Sequence, residues 1–216
     1  MMKKSIKAVY MPQLDKLGLS EAAAAMEGVA ARDYVDQVNW PGAFPYKPVV
    51  AVDAARGDNY LYIHFFVRGN YLLASNTELN SPVYHDSCVE FFAHVPGEKE
   101  YYNFEFNCIG TALASKRLRR TDNDCYPAEL MTKIRTWSSL GKLPFAEKSG
   151  IFSWELTVAV PFELFGLDPA ALPEKIDVNF YKCGDKTSQP HYLSWNRIDT
   201  PEPDFHRVDF FGEMYF

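Results

Sequence analysis

The chain has 216 residues, 47% of them hydrophobic, 23% charged and 15% aromatic, with a formal net charge of -6. One domain of this length buries roughly 70% of its unfolded surface, so a single domain over residues 1–216 is expected, and the composition argues against disorder. The negative charge argues against a nucleic-acid partner, because the only basic cluster, SKRLRR from Ser115 to Arg120, is short and runs into the acidic TDND.

From the N-terminus, MMKKSIKAVYMPQLDKL carries positive charge without an apolar segment of about 7–15 residues. No membrane span is expected, and the expected location is cytoplasmic unless a leader was trimmed. Ile6 to Tyr10 reads as a strand, and LSEAAAAMEGVAA reads as a helix from Ser20 to Ala31, with Ser20 as N-cap and Glu21 in its first turn. These elements make residues 1–40 a strand and helix extension of the domain.

Next come Val49 to Ala54 and then NYLYIHFFVR, in which Leu61, Ile63, Phe65 and Val67 alternate with Tyr60, Tyr62, His64 and Phe66. CVEFFAHV sets Val89, Phe91, Ala93 and Val95 against Cys88, Glu90, Phe92 and His94. YYNFEFNC sets Tyr102, Phe104, Phe106 and Cys108 against the polar row Asn103, Glu105 and Asn107. A short helix near Ala128 to Arg135 precedes further strands at Trp154 to Val160, Ile176 to Lys182 and Glu213 to Phe216. Many short strands with little helix between them give an all-β, antiparallel β-sandwich with short helical insertions.

Cys88, Cys108, Cys125 and Cys183 have no C-x-x-C spacing, so reduced and mostly buried thiols are expected rather than a zinc or redox motif. Cys108 shares the apolar face of Phe104 and Phe106 and is expected to be buried and unpaired.

Two charged residues in an otherwise strand-like stretch, Asp86 and Glu90 of VYHDSCVEFF, are the first functional signal. A sugar site on a sandwich needs a ring that packs on the C–H face of a pyranose, together with carboxylates, amides or arginines that bond its hydroxyls. Tyr84 stands just before Asp86 and Glu90, Trp195 stands beside Asn196 and Arg197, and Asn103, Glu105 and Asn107 add the polar row. Other roles remain open for some of these. Trp195 also fits a core tryptophan, Glu90 a structural carboxylate paired with Arg68 or Arg117, and Asp86 a strand cap.

Six segments in order, VYHDSCVEFF, YYNFEFNCIGTAL, FSWELTVAVP, NFYKCGD, HYLSWN and DFHRVDFFGEMYF, resemble the family 9 carbohydrate-binding modules. The similarity is to their stand-alone bacterial relatives within the DOMON-like sandwich group. The resemblance runs from about NWPGAFPYKP to the C-terminus. It implies an immunoglobulin-like sandwich that holds the end of a mono- or disaccharide between two rings, non-catalytically and in the service of carbohydrate catabolism. By motif position Tyr84 becomes the first ring, Trp195 the second and Glu90 the acidic partner. The chain departs from the family in having Tyr84 where the module has Trp, and Glu105 or Asn107 where it has a sugar-binding Arg. Family members also bind structural calcium. The acidic run Asp122, Asn123, Asp124 lacks the glycine and closing Glu of an EF-hand loop, so no cofactor is expected, with calcium as the alternative.

Two other functions compete. Glu90 and Glu105 could serve a glycoside hydrolase as acid and nucleophile or base. A haem role, known in DOMON-like domains, would need an axial pair such as Met131 with His85 or His206.

Overall fold

The alternating segments become the strands of two stacked sheets. In the computed structural model, which describes residues 3–122 and 124–216, the chain begins with β1 (Ser5–Lys7), β2 (Val9–Tyr10), α1 (Leu19–Met26), β3 (Ala31–Tyr34) and β4 (Gln37–Val38). It continues through β5 (Val49–Arg56), β6 (Tyr60–Ala74), β7 (Cys88–His94), β8 (Tyr101–Asn107), β9 (Ala112–Arg117) and α2 (Ala128–Met131). It ends with β10 (Arg135–Ser138), β11 (Phe145–Pro161), β12 (Lys175–Cys183), β13 (Tyr192–Ser194) and β14 (Gly212–Tyr215).

The first sheet has eight strands in the order β1-β14-β12-β7-β8-β9, with β13 paired to the C-terminal end of β12 and β4 outside β13. The second has the order β10-β11-β6-β5-β2, with β3 also on β5. Pairing is antiparallel except for β1 on β14 and β2 on β5. The expected strand from Ile6 to Tyr10 is therefore two strands, one in each sheet, with Ala8 fully buried between them.

Period-two alternation decides what faces the core. Leu61, Ile63, Phe65 and Val67 of β6 meet Val89, Phe91 and Ala93 of β7 and Phe104 and Phe106 of β8 between the sheets. Phe91 lies 5.4 Å from Phe180 and Phe104 lies 5.0 Å from Phe165, centroid to centroid. Such ring pairs each add about 0.5–1.5 kcal/mol beyond their buried area. Cys108 is buried in this core as a free thiol.

The other face of the eight-stranded sheet is also covered. Phe92, Tyr101 and Tyr181 on the strands pack under Trp40, Phe205 and Phe211 from the loops. Hence the polar row is not solvated: Asn103, Glu105 and Asn107 are 0%, 5% and 0% exposed.

Both helices are shorter than their sequence suggests. Gly18, not Ser20, is the N-cap of α1, and Glu21 accepts its backbone N–H at 2.9 Å. The helix ends at Met26 because Gly28 takes a φ of +75°, and the following residues pair with β5. Ala22 and Met26 cover Tyr62 and Ala159 on the outer face of the second sheet. The second helix stops at Met131, and Arg135 opens β10 opposite Ala159. Among the described residues no helix is long and apolar enough to cross a membrane.

Trp195 belongs to the core between the sheets, which corrects its reading as a sugar platform. It is fully buried, packs edge-on to Phe180 at 5.5 Å, and donates its indole N–H to Asp33 at 2.7 Å. Gly212 makes room for the ring, since a Cβ there would stand 2.5 Å from a ring carbon. Trp195→Ala should therefore cost about 3–5 kcal/mol of stability. Urea unfolding checks this, and a loss below about 1 kcal/mol contradicts the core placement.

Candidate functional site

Sheet register brings the two glutamates together. Glu90 of β7 stands directly opposite Glu105 of β8 on one side and Tyr181 of β12 on the other. Paired antiparallel positions place their Cβ atoms about 4.5–5.5 Å apart, so the two carboxyls share the floor of one region. Above them is a cavity of ≈ 510 Å³, roofed by the turn before β7, the loop after β9, and the loops flanking β13. Its rings are Tyr84, Tyr192, Phe205 and His206, and its charges beyond the glutamates are Arg117, Arg120, Asp122 and Asp185.

A polar relay fixes Glu105. The Arg117 Nε donates to Ser115 Oγ at 2.5 Å, Ser115 donates to Asn103 Oδ1, and Asn103 Nδ2 donates to Glu105 Oε1 at 2.9 Å. The second oxygen, Glu105 Oε2, is buried without a hydrogen-bond partner among the described residues. A buried acceptor in that condition costs roughly 1–3 kcal/mol until something donates to it. Glu90 Oε1 accepts from the Cys183 thiol at 3.0 Å.

Burial governs the charges. It holds the Glu105 carboxyl up at about 7, partly opposed by Arg117 and by the Asn103 bond. Burial, helped by Cys183 and Glu105, pushes the Glu90 carboxyl well above the usual carboxylate range. His206 shares a 2.7 Å hydrogen bond with the Tyr101 hydroxyl. Burial, then Arg117 and Arg120, lower it to about 3, which makes it neutral at neutral pH.

The ring walls are braced from behind. Tyr192 meets Phe44 edge-on at 4.7 Å and Phe205 at 6.0 Å, while Phe205 stacks on Tyr181 at 4.2 Å. Tyr84 rides on a short 3-10 turn, Val83–His85. Its carbonyl accepts from Asp185 N and that of His85 from Lys186 N, both at 3.0 Å. Asp86 anchors the same turn, accepting from Ser75 Oγ at 2.7 Å, Asn76 N at 2.9 Å and Asn107 Nδ2 at 2.8 Å. Asp86 is thus a structural carboxylate.

Of the eight residues singled out in the sequence, Tyr84, Glu90 and Glu105 line the cavity. The structure moves the other five elsewhere, for separate reasons. Asn103 lies beneath the floor as the support of Glu105. Asn107 is spent on Asp86 and on the backbone of Asn76 and Thr111. Trp195 is in the core. Asn196 ties Lys4 N to Phe210 O, and Arg197 is exposed outside the cavity.

Sequence reasoning missed Tyr192, Phe205 and Arg120, and offered Arg117 as a partner for Glu90, whereas its guanidinium reaches Glu105 through Ser115 and Asn103. For Tyr192 a signal existed, because in a strand it and Trp195, three residues apart, cannot share a face. The proposed haem pair does not meet: Met131 packs between the sheets, whereas His206 lies against Phe92 on the opposite face of the first sheet and His85 against Tyr84. Asp122 caps its own loop, accepting from Leu118 N at 3.0 Å and Arg119 N at 2.7 Å, and Asn123 lies outside the described residues.

The family model for carbohydrate-binding family 9 matches residues 21–216. Among solved structures the chain is similar to a Bacteroides uniformis protein assigned to carbohydrate binding, at 33% identity and a TM-score of 0.92, with 99% of each chain covered. It is also similar to a family 9 carbohydrate-binding module of Caldicellulosiruptor kristjanssonii in complex with glucose (14% identity, TM-score 0.60, 98% of this chain and 95% of that one). A module of the same family and organism in complex with cellotriose has 13% identity and a TM-score of 0.56, covering 98% of this chain and 93% of that one. At that identity these two attest the fold. No curated protein matches the chain.

The raised Glu105 carboxyl links stability to pH. Folded Glu105 keeps its proton where an unfolded glutamate, ordinarily near 4.5, has lost it. Its contribution is complete below about 4.5 and is lost as pH rises towards 7. The stability of the wild type relative to Glu105→Gln should therefore fall by about 2 kcal/mol between pH 5 and pH 8 in metal-free buffer. Denaturant titrations at both pH values check it, and a pH-independent difference contradicts the buried acid.

Proposed function

The chain belongs to carbohydrate-binding family 9, and from that premise we propose that it binds the end of a mono- or disaccharide, without catalysis, in the cavity over Glu90 and Glu105. The observation that carries this reading is the unpartnered Glu105 Oε2 on the floor of a ring-lined cavity. A sugar hydroxyl is a neutral donor suited to that oxygen, and its binding removes the cost of the unsatisfied acceptor. Glu90, whose carboxyl burial raises, donates when protonated as well as accepts, so it can bond a neighbouring hydroxyl. The volume of ≈ 510 Å³ falls within the roughly 300–1,000 Å³ of small-ligand sites.

The rings divide the labour with the carboxyls. Tyr192, braced by Phe44 and Phe205, and Tyr84, on its anchored turn, offer faces for the C–H side of a pyranose. A ring contact contributes about 0.5–1.5 kcal/mol and a hydrogen bond to a charged group roughly 1.5–3. Association itself costs several kcal/mol, so affinity falls on the order of micromolar to millimolar. The modules similar in fold were found with glucose and with cellotriose, which makes glucose-terminated saccharides the first probes.

One observation favours a second reading. Two carboxyls directly across a strand pair, one of them raised by burial, are the residue types a glycoside hydrolase uses as acid and nucleophile or base. Turnover of aryl glycosides that disappears in Glu105→Gln would establish it over binding alone.

Calorimetric titration with glucose and cellotriose tests the proposal. Tyr192→Ala and Glu105→Gln should each weaken binding about tenfold, the losses expected for one ring contact and one charged acceptor. Arg197→Ala, outside the cavity, should leave binding unchanged. Equal affinity in all four proteins contradicts this site.

A further inference from the structure

We propose that Cys88, Glu90 and Cys183 form a binding site for one thiophilic divalent cation of the zinc type. The strand register builds it. Cys88 of β7 stands directly opposite Cys183 of β12, and Glu90 lies two residues along β7 on the same face, where its longer side chain spans the diagonal to Cys183. The two Sγ atoms and one carboxylate oxygen all lie within 4.8 Å of one another, with Cys183 Sγ at 3.0 Å from Glu90 Oε1. Zinc bonds of about 2.3 Å to sulfur and 2.0–2.2 Å to oxygen put tetrahedral donors roughly 3.5–3.8 Å apart. Small side-chain rotations are enough to close the set.

Chemistry and access agree with this. Both cysteines are free thiols, and the three residues are 0%, 3% and 1% exposed in chain order. Two thiolates and an oxygen suit zinc better than calcium or magnesium, which take oxygen donors. Cys183 and Glu90 also line the cavity, which provides an entry path and leaves the fourth position open to water. On binding, the two thiol protons and any proton on Glu90 pass to solvent, and no oxidant or reductant is involved. The bound set carries a net charge of minus one. Beside the set, the Lys182 Nζ donates to the Cys183 carbonyl at 2.6 Å and lies 2.9 Å from His191 Nε2. The site does not depend on the sugar reading and is measured with no sugar present.

The full chain, reduced and freed of metal by a chelator, is titrated with Co2+ as a spectroscopic probe. A thiolate-to-cobalt charge-transfer band should grow to one equivalent and vanish when Zn2+ is added, because soft thiolate donors select zinc. Cys88→Ser and Cys183→Ser should each abolish the band. Glu90→Gln should weaken Co2+ binding about tenfold or more, the loss typical of disrupting a metal's surroundings, and Cys125→Ser should change nothing. Should the serine variants fail to fold, the wild type still decides: in mild denaturant, Zn2+ should protect Cys88 and Cys183 from alkylation, as mapped by mass spectrometry. No band, a band that survives in both serine variants, or thiols unprotected by Zn2+ would overturn the site. Loss of sugar binding alone would leave it standing.

Discussion

Two carboxyls buried side by side on the floor of the first sheet set the terms for everything around them. A carboxylate taken out of water must find hydrogen bonds, a counter-charge or a proton. Glu90 accepts a thiol bond from Cys183, and burial raises its hold on a proton. Glu105 takes one amide bond from Asn103, itself held through Ser115 by Arg117, and among the described residues its other oxygen has no donor. The floor is therefore rigid, low in charge and short of one hydrogen bond.

That floor exists because the first sheet is buried on both faces. Antiparallel sheets commonly leave one face to water, whereas here loops carrying Trp40, Phe205 and Phe211 pack over Phe92, Tyr101 and Tyr181. The cavity is the gap in that covering. The loop contacts also explain why Asp86 and Asn107, polar and wholly buried, do not serve a ligand: they hold the turn that presents Tyr84. Rings on braced loops above a preorganised polar floor form a site whose ordering cost is largely met before a ligand arrives.

The sandwich was legible because period-two alternation depends only on local chain geometry. Leu61, Ile63, Phe65 and Val67, with Val89, Phe91 and Ala93, face the core as their spacing requires, and so does Cys108. Helix ends were less legible: Ser20 is a good capping residue, but Glu21 caps Gly18, and pairing with β5 claimed Ala31 for a strand. Of the site, Tyr84, Glu90 and Glu105 could be read because they sit in or beside regular strands. Phe205 could not, since a loop places it, and Tyr192, at the start of the short β13, was passed over for Trp195. Trp195 was misjudged because its indole N–H suits a buried partner as well as a sugar. Asp33, distant in sequence, supplies that partner. The juxtaposition of Cys88 with Cys183 likewise comes from strand pairing, which no local spacing reveals.

The central claim is that the unpartnered Glu105 oxygen is the place where a sugar hydroxyl docks. A crystal structure of the protein soaked in glucose tests it most directly. The account predicts a hydroxyl within about 2.5–3.0 Å of Glu105 Oε2, with the pyranose against Tyr192 or Tyr84. Glucose bound instead beside α1, in a separate cavity of ≈ 360 Å³ lined by Arg32, His64 and Trp137, with Glu105 Oε2 untouched, would contradict it.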